Sequence, residues 1–237
     1  MRKILFTLAL LISFSFFGQT AEEYLVAGED KSIELDFSGA ILDFSKAIEL
    51  NPNYFKAWNS RAIVKMRLED YYGAISDFTK ATELDPNHLG CKRGRATCKY
   101  RLGDDKGTIT DFDEIIKLSQ SNNEPIAFDY FYRGRAKSGL YNSNGAIVDY
   151  SKAIELDPND YFVYFLRGCE KNLLDDYYAA IADFTKAIEI DPNYAVAYSQ
   201  RGSAKAALGD VNGACADIKK AANLGDLEAS KLAKNCN

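Results

Sequence analysis

Apolar residues in this chain recur in pairs of stretches with helical spacing, each pair parted by a turn bearing Gly or Asp, as at Leu208-Gly209-Asp210. The pattern repeats along the chain. Ala40-Ile41-Leu42-Asp43-Phe44 returns as Ala74-Ile75-Ser76-Asp77-Phe78, Thr108-Ile109-Thr110-Asp111-Phe112 and Ala146-Ile147-Val148-Asp149-Tyr150. Two further copies are Ala180-Ile181-Ala182-Asp183-Phe184 and Ala214-Cys215-Ala216-Asp217-Ile218, and the successive spacings are 34, 34, 38, 34 and 34 residues. Five copies run into a terminator: Asn51-Pro52-Asn53, Asp85-Pro86-Asn87, Asp157-Pro158-Asn159, Asp191-Pro192-Asn193 and the proline-free Leu224-Gly225-Asp226. The third ends instead in Ser119 to Pro125, which takes up the four extra residues. Proline cannot continue a helix, so each unit predicts a helix, a tight turn, a second helix and a sharp connection. A single helix pair cannot bury both its faces, whereas a stack of such pairs buries a continuous core. The fold class is therefore all-α.

The first twenty residues stand outside this pattern. Arg2 and Lys3 precede an apolar or hydroxyl run from Ile4 to Phe17, followed by Gly18, Gln19 and Thr20. Residues 1–20 are expected to be a secretory signal peptide cleaved between Gly18 and Ala21; a buried N-terminal helix or an uncleaved anchor is the alternative. No Cys follows the run where a lipid could be attached. Losing Arg2 and Lys3 moves the formal charge from −5 to about −7, which argues on average against a nucleic-acid footprint. No later stretch is long and apolar enough to span a membrane, so no membrane insertion of the mature chain is expected. The expected location is outside the cytoplasm, periplasmic or secreted, in an oxidising compartment. With 47% hydrophobic and 13% aromatic residues, the chain carries enough apolar surface for a large core.

A helix pair of 34 residues with an early aromatic, a small residue four positions later, then Ala, Phe, Ala and Pro resembles the tetratricopeptide repeat (TPR). In that frame the units are 21–54, 55–88, 89–126, 127–160, 161–194 and 195–228. The early aromatic is Tyr24, Trp58, Tyr130, Tyr164 and Tyr198, with Lys92 departing in the third unit. The small residue is Gly28, Ala62, Ala96, Gly134, Gly168 and Gly202, and Thr108 and Ile115 replace the two second-helix alanines of the third unit. The resemblance implies a right-handed superhelical solenoid of antiparallel helix pairs. The tail from Leu227 to Cys236 predicts a short amphipathic helix, with residues 229–237 as a cap on the last unit.

First helices carry Arg61, Arg95, Arg133, Arg167 and Arg201 at one position, and Lys31, Lys65, Lys99, Lys137, Lys171 and Lys205 one turn later. Second helices carry Asp43, Asp77, Asp111, Asp149, Asp183 and Asp217. Basic and acidic residues that recur together predict a framework ladder rather than a binding stripe, because partly buried charges need partners. The first unit has Asp43 but Ala27 in the arginine position, so each Asp is expected to pair with the Arg of the next unit, leaving Asp217 unpartnered.

Nothing in the sequence points to catalysis, a metal or a cofactor. His88 is the one histidine, and no phosphate loop, His-Glu-x-x-His helix or Cys-x-x-Cys pair occurs. Cys91 and Cys98 lie about 10 Å apart along one helix, too far to bond. Cys215 and Cys236 could link the last unit to the cap, the alternative being small buried thiols. The family resemblance places a protein or peptide ligand on a concave face lined by first helices. Positions there are Phe128, Phe131, Arg135, Phe162, Phe165, Cys169 and Asn172 in the fourth and fifth units, with Asn59, Ile63, Met66, Arg67, Arg93, Tyr100 and Arg101 before them. An aromatic cluster with a polar rim suits an extended or helical segment, the alternative being that some of these Phe residues pack between adjacent first helices. The family's Asn positions for gripping a terminal carboxylate hold Ser60, Gly94, Tyr132, Leu166 and Gln200, so that mode is not expected. The function expected is a non-enzymatic scaffold; the alternative is a structural protein that self-assembles through its end repeats.

Overall fold

The computed structural model describes residues 19–122 and 124–236. Most of the expected signal peptide, residues 1–18, lies outside the described residues. Among these the structure is entirely helical. Twelve helices form six consecutive pairs: α1 (Ala21–Ile33) with α2 (Phe37–Leu50), α3 (Phe55–Arg67) with α4 (Tyr71–Leu84), and α5 (Leu89–Arg101) with α6 (Asp105–Ser121). They continue as α7 (Ala127–Gly139) with α8 (Ser143–Leu156), α9 (Tyr161–Leu173) with α10 (Tyr177–Ile190), and α11 (Ala195–Ala207) with α12 (Val211–Asn223). A short α13 (Leu227–Leu232) and a 3-10 turn (Ala233–Asn235) close the chain. Packing runs chiefly between consecutive helices, as a linear array requires.

The turns are built to one plan. Each second helix starts on Asp36, Asp70, Asp104, Asn142, Asp176 or Asp210, whose side chain accepts the backbone N–H three residues on. The turn before it places one residue in the left-handed region, with φ between 59° and 83° at Leu35, Glu69, Gly103, Tyr141, Asp175 and Gly209. Only Gly103 and Gly209 adopt that conformation without a steric cost. At the far end, Asn51, Asp85, Asp157 and Asp191 fold their side-chain oxygens onto the N–H two residues later, across the intervening proline.

The core follows the repeat marks. Ala40, Phe44 and Ala47, and their counterparts through Ala180, Phe184 and Ala187, are buried. The small first-helix residue lets these rings in: a Cβ on Gly134 would stand 2.8 Å from Tyr150 Cε1, and one on Gly28 would stand 2.6 Å from Phe44 Cε1. In the third unit the larger Thr108, Phe112 and Ile115 fill the same layer, and Thr108 Oγ1 returns a 2.8 Å hydrogen bond to the Asp104 carbonyl. Three of its four extra residues extend α6, which has 17 residues against 14 in α4 and α8, and the fourth lengthens the connection to α7.

The charge ladder is present, but its direction corrects the expectation. Each arginine grips the aspartate of its own unit with both prongs of its fork: Arg61 to Asp77, Arg95 to Asp111, Arg133 to Asp149, Arg167 to Asp183 and Arg201 to Asp217, at 2.5–2.9 Å. The lysine one turn later joins the same carboxylate, at 2.7–3.0 Å for Lys65, Lys99, Lys137, Lys171 and Lys205. Asp217 is therefore doubly paired rather than left over. In the first unit, which lacks the arginine, Lys31 alone serves Asp43 at 2.6 Å. The link to the preceding unit uses the remaining guanidinium nitrogen, which reaches Ser45 from Arg61, Asp113 from Arg133, Ser151 from Arg167 and Thr185 from Arg201.

Candidate functional site on the first-helix face

The aromatic residues singled out in the fourth and fifth units divide into two kinds. Phe128 is 38% exposed, and Phe131 and Phe162 are half-buried, with their rings 6.3 Å apart. Phe165 is buried at 9% exposure against Phe184 and Tyr194, so it belongs to the core and not to a binding face. Tyr132 holds the cluster together. Its ring lies 4.5 Å from Phe128, 5.0 Å from Phe131, 5.2 Å from Tyr100 and 6.0 Å from Phe112. Edge-on and tilted geometries of this kind are favourable beyond the area they bury. Phe128, Phe131 and Tyr132 border a cleft of about 340 Å³ that runs back to Asp157, Asp160 and Val163.

Arg135 sits over this cluster, its guanidinium 5.6 Å from the Tyr100 ring and 5.9 Å from the Phe131 ring. Arg93, expected beside it as a groove residue, has a different role. It forms a bidentate pair with Asp129 at 2.7 and 2.8 Å, and Asp129 is completely buried. Arg93 therefore ties α5 to α7 across the irregular third unit. Of the remaining groove residues, Asn59 accepts the Cys91 thiol at 3.0 Å, and Met66 packs against the core beside Ala62 and Phe78. The Asn172 side-chain oxygen is buried.

Two further contacts tie sequence marks to the framework. Trp58, Tyr130, Tyr164 and Tyr198 each stand three residues before a ladder arginine, and each ring lies 4.9–5.7 Å beneath that guanidinium. Asp129 occupies a position that is apolar and buried at Ala57, Cys91, Val163 and Ala197, and that exception marks the Arg93 link.

Burial pushes the Cys91 and Cys98 thiols up to about 11 and Cys169 to about 12, far from thiolates at neutral pH. His88 caps α5 by accepting the Cys91 N–H, with its ring 4.8 Å from Phe55. Among the described residues, no three His, Cys, Asp or Glu side chains are grouped to hold a metal ion, and no helix is long and apolar enough to cross a membrane. At the C-terminal end, Cys215 and Cys236 are joined by a disulfide, and Ala229 of α13 is buried against Ile218 and Ala221.

Comparison with known proteins gives the class. The tetratricopeptide repeat family matches residues 55–88 and 163–194, which are the second helix pair and most of the fifth. Its fold is that of solved TPR solenoids. It resembles YrrB, described as a TPR protein with an unusual peptide-binding site, at 21% identity and a TM-score of 0.70, over 81% of this chain and 97% of that one. It also resembles MamA (residues 41 to the end) from Desulfovibrio magneticus, at 20% identity and a TM-score of 0.69, over 75% and 98% of the two chains. Against pilF of Pseudomonas aeruginosa the identity is 14% and the TM-score 0.70, over 91% and 97%. No curated protein matches the sequence significantly.

Proposed function

We propose that this chain is a non-enzymatic scaffold of six TPR units that holds a protein segment on its first-helix face, outside the cytoplasm after loss of residues 1–20. The observation that carries the reading is the aromatic patch of Phe128, Phe131, Tyr132 and Phe162, left partly open where a solvated helix face would be polar. Large rings in a cleft with a polar rim are the usual anchors of protein recognition. The peptide-binding site attributed to YrrB lies on the same fold and lends the reading support. Self-assembly through both end repeats is less well served, because α13 already covers the C-terminal end under a disulfide tether.

The test is affinity capture from the native compartment with wild type and a Phe128→Ser, Phe162→Ser variant. Phe165 is left intact because it supports the core. The variant should fold as wild type does and lose the specific partners. Identical capture by both proteins sinks the proposal.

A further inference from the structure

Among the nine arginines of the described residues, the six at 61, 93, 95, 133, 167 and 201 have their forks occupied by aspartate. The other three, Arg67, Arg101 and Arg135, form no ion pair among the described residues, and all three lie on first helices. Arg101 and Arg135 line one cleft of about 450 Å³ between α5 and α7, together with Tyr100, Asp105, Ser138 and Gly139. The Arg135 guanidinium carbon lies 5.6 Å from the Tyr100 ring centroid and 5.9 Å from that of Phe131, and its N–H groups make no hydrogen bond among the described residues. Two carboxylates are close by, and neither pairs with these arginines. Asp105 lies against Gly139, and Glu170 is buried and accepts the Ser138 hydroxyl. Tyr100 meets Tyr132 edge-on at 5.2 Å, so this cleft adjoins the apolar one bordered by Phe128, Phe131 and Tyr132.

We propose that the segment held on this face presents an aspartate or glutamate side chain close to an aromatic or large aliphatic one. The carboxylate lies between Arg101 and Arg135, and the apolar side chain fills the cleft of Phe128, Phe131 and Tyr132. This rests on the scaffold reading and specifies its ligand. A guanidinium fork matches a carboxylate geometrically, and two arginines without ion pairs lining one cleft favour an acidic partner there.

Panning a random-peptide library on the purified protein, followed by binding titrations of the enriched peptides, tests this. The enriched peptides should share an acidic residue beside an apolar one. Replacing the acid by its amide should weaken binding about tenfold, as loss of a charged hydrogen-bonding partner does. Arg101→Gln and Arg135→Gln variants, made separately, should bind acid and amide forms alike, and added salt should erase the preference. Amidating the peptide C-terminus should change nothing; if it abolishes binding, the carboxylate comes from the chain end and the proposal falls. If acid and amide forms bind wild type equally, the acidic partner falls and the scaffold reading stands. If no peptide is enriched, both fall.

Discussion

Arg61, Arg133, Arg167 and Arg201 each use the guanidinium in three ways: two N–H groups on an aspartate, another on the preceding unit, and the flat face on an aromatic ring. Lysine, with a compact ammonium in place of the planar fork, could not span these partners at once. The carboxylates they hold set the response to acid. Burial pushes the Asp217 carboxyl up, but the hydrogen bonds and charges of Arg201 and Lys205 more than offset this and hold it below the usual carboxylate value. A depressed folded-state value means that the stabilisation is present above the unfolded-state value of about 4 and is lost as pH falls through the folded one. Asp217→Asn should cost about 2 kcal/mol at neutral pH, below the full penalty for breaking a buried pair because both cations keep some water. It should also flatten the acid limb of a urea-denaturation series run at several pH values. An unchanged acid limb would remove Asp217 from the account. The ladder's existence could be read from the sequence, but its direction could not. Arg and Asp of one unit are 16 residues apart, and Asp43 and Arg61 of adjacent units are 18 apart, too similar for spacing to decide. The apparent orphan Asp43 misled because Lys31 is its partner.

At the scale of helices, the third unit departs from the others in a compensated way. Lys92 replaces the early aromatic and is itself buried, paired with Glu114 at 2.5 Å. The extended α6 shifts where α7 begins, and the Arg93–Asp129 pair fixes the joint that results. Asp129→Asn should leave Arg93 without its counter-ion and cost about 3 kcal/mol. Hydrogen exchange should then quicken in α5 and α7 while α10 and α11 stay as protected as before; exchange that rises equally everywhere would show that the pair does not act locally. Helix ends were legible because Pro and Asx residues act through their own backbones. The lengthening of α6 was not, since Ser119, Gln120 and Ser121 are polar enough to suit a loop. The site was half legible. Spacing found Phe128, Phe131 and Phe162, but only packing reveals that Phe165 turns inward and that Tyr132 joins the cluster.

Across the whole molecule, contacts that run mainly between neighbours make stability approximately a sum over units and their interfaces. The two ends then matter more than their size suggests. The Cys215–Cys236 link closes a separation of 21 residues and keeps the tail on the last unit. Cys236→Ser, or reduction of the wild type, should remove about 3 kcal/mol from the terminal unit. It should expose α13 and α12 to exchange ahead of the rest; a tail equally protected with and without the bond would assign its docking to packing alone.

The same arginine-to-hydroxyl reach links the second unit to the first, the fifth to the fourth and the sixth to the fifth. A repeated 161–194 inserted behind the original would keep the same pairing at that joint, with another Arg167 facing Thr185 in place of Arg201. Around 89–129 the joint is different, because the Arg93–Asp129 pair recurs at no other joint of the array. The third unit thus interrupts an otherwise repeating set of joints, and the open aromatic patch lies immediately after it.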